Sequence, residues 1–166
     1  MEAPESEMKR STKRRRKKHP TSPAPDANTL FAVLLSALHH SSSSLVTIKR
    51  CLVQLRLSLT SQSPTPNPNP NPITVPILSL LPVLIKSKWA EIATRSIEIV
   101  GAASLVSFAM NERIALDGEI VKCLISALAS PERSVSIAAC NAILDLCTTT
   151  IGRQRLLEFS VIENIM

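Results

Sequence analysis

Apolar residues recur at helical spacing over most of this chain. In the stretch 118–149, Ile120, Val121, Leu124, Ile125 and Leu128 fall on one stripe of a helix. Val135, Ala138, Ala139, Ala142, Ile143 and Leu146 fall on one stripe of another, with Asn141 and Asp145 opposite. The tripeptide SPE separates the two. Ser130 is suited to cap the free amides of the second helix, Pro131 to its first turn, and Glu132 to its positive end. Two further blocks, 29–59 and 76–110, carry the same kind of pattern, and AEIATRSIEIVGAASL stands out as a long helix in the second. Each block therefore predicts two helices joined by a short turn, the second being the longer.

Two tracts break the pattern. Residues 1–27, MEAPESEMKRSTKRRRKKHPTSPAPDA, mix charge, Ser and Pro with almost no large apolar residue. They cannot bury enough surface to offset the entropy of ordering, so a disordered basic tail is expected. Residues 61–75 open with SQSPTPNPNPNP, where recurring proline removes backbone donors and predicts an extended Pro/Asn-rich surface loop. The rest, 28–166, reads as one all-α helical domain containing that loop.

The helical blocks resemble one another. LLSAL at 34–38 returns as LISAL at 124–128, and a slide of ninety residues also lays Leu45 on Val135. Half that shift brings in the middle block, where LPVL at 81–84 precedes KSKW and the long helix. NERIALDGEI at 111–120 resembles GRQRLLEFSVI at 152–162 at a shift of 42. A period of roughly 40–47 residues, with two or three helices per unit, is the mark of helical-repeat architectures in which each unit buries its apolar face on its neighbour.

Composition agrees with helices. The chain is 45% hydrophobic but only 2% aromatic, with no Tyr, so its core must be built from Leu, Ile, Val and Ala. Three glycines in 166 residues leave little room for tight hairpins. The net charge of +6 is concentrated in the tail: eight Lys/Arg against four Asp/Glu leave +4 in residues 1–27, and only +2 remains elsewhere. The helical part thus lacks the positive surplus needed to grip phosphates. Cys51, Cys123, Cys140 and Cys147 show neither a CxxC pair nor zinc-ligand spacing, and their apolar neighbours predict buried, reduced thiols. No secretory signal is visible, and Glu2, Glu5 and Glu7 argue against an organellar transit peptide. The longest uncharged apolar run, ITVPILSLLPVLI, has thirteen residues and two prolines, too short to span a bilayer. A soluble, intracellular chain without a membrane partner is expected.

The third unit, NERIALDGEIVKCLISALASPERSVSIAACNAILDLC, resembles an armadillo repeat: a short first helix, Gly118 at the turn, IVKCLISAL as second helix and the Ala-rich SIAACNAILDLC as third. HEAT repeats share the period and are the alternative. The resemblance covers roughly residues 30–166 and implies a right-handed α-solenoid of about three armadillo-like repeats. TTTIGRQRLLEFSVIENIM looks like the first helix of a fourth unit and the opening of its second. With no polar capping helix after it, three readings are open: the N-terminal part of a longer armadillo protein, a truncated product, or a chain that finishes its core with a partner. The family generally holds extended peptides or partner proteins along a concave groove lined by third helices. Lys88, Glu91, Arg95 and Glu98 on one polar stripe, with Asn141 and Asp145 in the next unit, are the expected groove contacts. A solvated face of i,i+3 and i,i+4 ion pairs is the plain alternative. Receptors of the importin-α type carry Trp followed four positions later by Asn; here Trp89 is followed by Ala93, so Trp89 is expected to be a packing residue near a helix start.

The strongest local signal is the basic run Lys9, Arg10, Lys13, Arg14, Arg15, Arg16, Lys17 and Lys18. In an unstructured setting it suits the acidic groove of a nuclear import receptor, which predicts a nuclear location, with the cytoplasm as alternative. The same run could contact nucleic acid or chromatin through phosphates alone. His39 and His40 beside SSSS read as a polar turn. No catalytic set, cofactor loop or metal-spaced cluster is nominated. The expected function is a non-catalytic protein-binding scaffold or adaptor. The alternatives are a nucleic-acid binder acting through its tail, or the N-terminal part of a longer, ubiquitin-ligase-linked armadillo adaptor.

Overall fold

A computed structural model describes residues 27–39, 45–60 and 74–163 of the chain. They are helical, with no strand among them. The elements are α1 Ala27–His39, α2 Leu45–Thr60, α3 Thr74–Leu78, α4 Leu81–Ile85, α5 Ala90–Ser104, α6 Phe108–Leu116, α7 Gly118–Leu128, α8 Arg133–Leu146 and α9 Thr150–Glu163. The basic run, residues 40–44 and most of the Pro/Asn-rich tract lie outside the described residues, although the tract's last two residues, 74 and 75, open α3. Ala27 belongs to α1, one residue inside the expected tail.

The middle block departs from its expected form. Instead of two helices it holds α3, α4, α5 and the opening of α6, and its expected end at 110 falls inside α6. Pro76 and Pro82 explain the short first pieces: a proline is tolerated in a first turn but cannot donate to the turn before it, so the apolar run is cut into two helices of five residues each. The expected break inside the last segment is likewise absent, and α9 runs on to Glu163. Asp117 makes the corresponding break between α6 and α7. Its N–H donates to Ile114 O, ending one helix, while its Oδ1 accepts from Glu119 N and Ile120 N, starting the next. Position 159, forty-two residues on, is Phe and offers no such acceptor.

The caps recur as the sequence does. Ser107 Oγ accepts from Met110 N before α6, and Thr149 Oγ1 accepts from Gly152 N before α9. Ser87 Oγ accepts from Trp89 N before α5, and Ser130 Oγ accepts from Glu132 N before α8. The last bond corrects the expected cap. Ser130 closes a turn onto an extended Glu132, which is the N-cap of α8 without a side-chain bond, and Pro131 sits in that turn and not in the helix. Gly118 is the first residue of α7, the turn itself being made by Asp117.

Packing follows the order of the chain. α2, α5 and α8 lie side by side, with α5 touching both neighbours. α1 packs on α2, α4 on α5 and α7 on α8, while α4 also meets α7, and α6 packs on α5, α7 and α9. Leu52, Leu55, Leu81, Leu84, Ile97, Ile114, Ile120 and Leu124 are fully buried between them. Each such side chain contributes about 1.5–3 kcal/mol of transfer free energy. Gly152 demands the smallest residue on steric grounds, and Gly101 a small one. A Cβ on Gly152 would meet Leu146 O at 1.9 Å, and one on Gly101 would stand 3.5 Å from Ala142 Cα and 2.7 Å from Asp145 Oδ2.

The cysteines divide. Cys51 and Cys123 are buried, as expected, and burial pushes both thiols up in pKa. Cys140, on α8, is exposed, and Cys147, the C-cap residue after α8, is half-buried. All four thiols are free. Leu128, the end of the α7 stripe, is also exposed.

Candidate functional site

The long helices α2, α5 and α8 leave a groove of about 420 Å³ between them. Arg56 comes from α2, Glu98 from α5, Leu105 from the C-cap of α5, and Ile137, Asn141 and Asp145 from α8. Position along each helix decides this: residues seven or eleven apart return to the same face, so Arg56 stands above Lys49, and Glu98 above Glu91. Thr94 Oγ1 donates to Ser134 Oγ at 3.2 Å and ties one end of the groove across α5 and α8.

Charge is distributed unevenly along it. Arg56 Nη1 donates to Glu98 Oε2 at 2.7 Å, and Arg95 Nη1 donates to the same oxygen at 3.1 Å. Lys49 on α2 pairs with Glu91 on α5. Asp145 differs from these: its carboxylate has no ion pair or hydrogen-bond partner among the described residues, and burial raises its pKa above the ordinary value. Beside it Asn141 is exposed. The groove therefore offers an amide, an unpaired acid and the apolar surfaces of Ile137 and Leu105, which are 49% and 57% exposed.

Of the six groove residues expected from sequence, Glu98, Asn141 and Asp145 meet in this groove. Glu91 and Arg95 flank it on α5, engaged in ion pairs. Lys88 does not share the stripe. It precedes the first residue of α5, its ammonium lies 5.4 Å from the centre of the Trp89 ring, and it faces a different cleft. Trp89 is near a helix start, as expected, but is 47% exposed instead of packed, because as the extended N-cap of α5 it points off the helix. Sequence reasoning missed Arg56, Ile137 and Leu105. A signal for Arg56 was present: Lys49 and Glu91, and Arg56 and Glu98, are opposite charges at one common separation of 42 residues.

Among the described residues no group of His, Cys, Asp or Glu is arranged to hold a metal ion, and no helix is long and apolar enough to cross a membrane. No family model, curated protein or solved structure matches the chain.

Proposed function

We propose that the protein is a non-catalytic scaffold or adaptor of armadillo-like repeats, a right-handed α-solenoid that holds an extended segment of a partner protein in the groove across α2, α5 and α8. The observation that carries this is the groove itself, in which α2 supplies Arg56, α5 supplies Glu98, and α8 supplies Asn141, Asp145 and the exposed Ile137. Support for a repeat comes from the spacing of equivalent features. Ser107 and Thr149 cap α6 and α9 forty-two residues apart, and Ser87 and Ser130 close the same turn forty-three residues apart. An extended segment suits such a surface, because a helical row presents contacts at regular intervals along a line.

Affinity capture from cells tests the groove, using the whole chain and a variant carrying Ile137→Ser, Asn141→Ala and Asp145→Ala. Proteins held by the wild type and lost by the variant are expected, with unchanged helix content. Identical captured sets would remove the groove from the function. The basic run of Lys9, Arg10, Lys13, Arg14, Arg15, Arg16, Lys17 and Lys18 is proposed to engage an import receptor and direct the protein to the nucleus. Deleting residues 9–18 from a fluorescent fusion should abolish nuclear accumulation and spare capture. Capture that vanishes with the tail, or falls steeply with salt, would instead favour phosphate binding by the tail.

A further inference from the structure

A second concavity, of about 670 Å³, opens where α5 and α8 begin, between the α4–α5 turn and α7. Lys86 and Lys88 reach it from the turn and Lys122 from α7. Glu119 and Glu132 line it as well, so ammonium groups outnumber carboxylates. Their pairing sharpens the imbalance. Lys86 and Lys122 share the single carboxylate of Glu119, at 3.5 Å and 3.7 Å, and Lys88 has no carboxylate partner among the described residues. One exposed acid divided between two lysines holds neither strongly. Both α5 and α8 also start here without a side-chain cap, which adds to the positive potential of the lysines. Next to the cleft stands Trp89, half-exposed, with Lys88 over its ring. An exposed indole at the edge of a charged cleft is the kind of side chain that anchors a protein interface.

We propose that this cleft and the indole beside it form a docking surface, separate from the groove, for an acidic segment of a partner protein. A carboxylate of that segment sits among Lys86, Lys88 and Lys122, and a neighbouring apolar side chain covers Trp89. The groove cannot substitute for it, since its unpaired charge, Asp145, is itself an acid.

Trp89 is the chain's one tryptophan, so its emission reports on the cleft directly. The whole chain is titrated with a short synthetic peptide alternating glutamate and leucine, and separately with its counterpart alternating lysine and leucine. The acidic peptide is expected to change Trp89 emission saturably, and the basic one is not. Replacing Lys86→Gln, Lys88→Gln and Lys122→Gln together should weaken the acidic peptide about tenfold or more, while Glu119→Gln, which releases two lysines, should strengthen it about two- to threefold. All four side chains are exposed, so helix content should not change, and the gain in Glu119→Gln cannot come from misfolding. An equal response to both peptides, no response to the acidic one, or no effect of the lysine changes would overturn the proposal. Inorganic phosphate giving the same emission change at the same concentration would overturn it too, in favour of a small-anion site.

Discussion

The seam between α2 and α5 and the seam between α5 and α8 join helices of similar length by different means. Across the first run two ion pairs, Lys49 to Glu91 and Arg56 to Glu98, all partly in contact with water. Across the second, Gly101, Ala138 and Ala142 keep the surfaces small, and the polar link is the neutral bond from Thr94 to Ser134. The second contact is also the more extensive. Ion pairs at a wet seam favour one register over others but contribute little stability, because each charge gives up hydration to form them. Small residues let two helices approach until many weak dispersion contacts accumulate. The α2–α5 seam is thus the salt-sensitive one, and the α5–α8 seam the one sensitive to volume.

The largest expected effect comes from wedging the close seam open. Gly101→Leu should lower stability by about 3 kcal/mol, measured by urea unfolding, with the same loss at low and high salt. Gly101→Ala should cost far less, since the Asp145 carboxylate that a new Cβ meets is the end of a side chain and can swing into the groove. Next comes the junction beside that seam. Asn111 is 1% exposed; its Nδ2 donates to Asp145 O and Thr148 Oγ1, and its Oδ1 accepts from Thr149 Oγ1. Asn111→Ala strands those partners and should cost about 2 kcal/mol, again independent of salt. At the ionic seam the effect is smaller. Glu98→Gln removes the negative charge shared by Arg56 and Arg95 and should cost about 0.5–1 kcal/mol, with the difference from wild type fading at high salt. A salt-independent loss there, or a salt-dependent one at Gly101, would break the contrast between the seams.

The smallest effect is a matter of pH. The carboxyl of Asp145 has a folded pKa above its ordinary value of 3.8, so the folded state holds the proton more tightly than the unfolded chain. Stability from this group should therefore fall as pH rises from 3.8 through the folded pKa, and at neutral pH the ionised carboxylate costs stability. Asp145→Asn should melt slightly higher than wild type at neutral pH, and the two should converge below the ordinary carboxylate range. A variant that melts lower at neutral pH would mean that Asp145 is held by a partner charge.

Much of the helical content was legible because local spacing reports it. The α7 and α8 stripes follow the expected apolar positions, with Ile120, Val121, Leu124, Val135, Ala138, Ala139, Ala142 and Leu146 buried. α5 spans nearly the whole of the segment singled out beforehand. What escaped lies at ends and faces. Ser130 was expected to cap a helix that begins further on, and Trp89 was expected to pack, because a residue's role at a boundary depends on a backbone turn that periodicity does not encode. Lys88 falls off the groove stripe for the same reason: a spacing of three or four means a shared face only when both residues are inside the helix.

Sequence alone determined where apolar stripes make helices and that the chain's positive charge gathers at one end. Those are properties of neighbours along the chain, where hydrophobic spacing, proline and capping side chains act within a few residues of each other. Tertiary structure alone decided that Arg56 joins the groove while Lys88 leaves it, that Asp145 goes unpaired among the described residues while Glu98 is paired twice, and that Trp89 meets solvent. These depend on how far apart the helices stand and how each is rotated about its axis, which is set by side-chain volumes meeting across distances of forty residues and more.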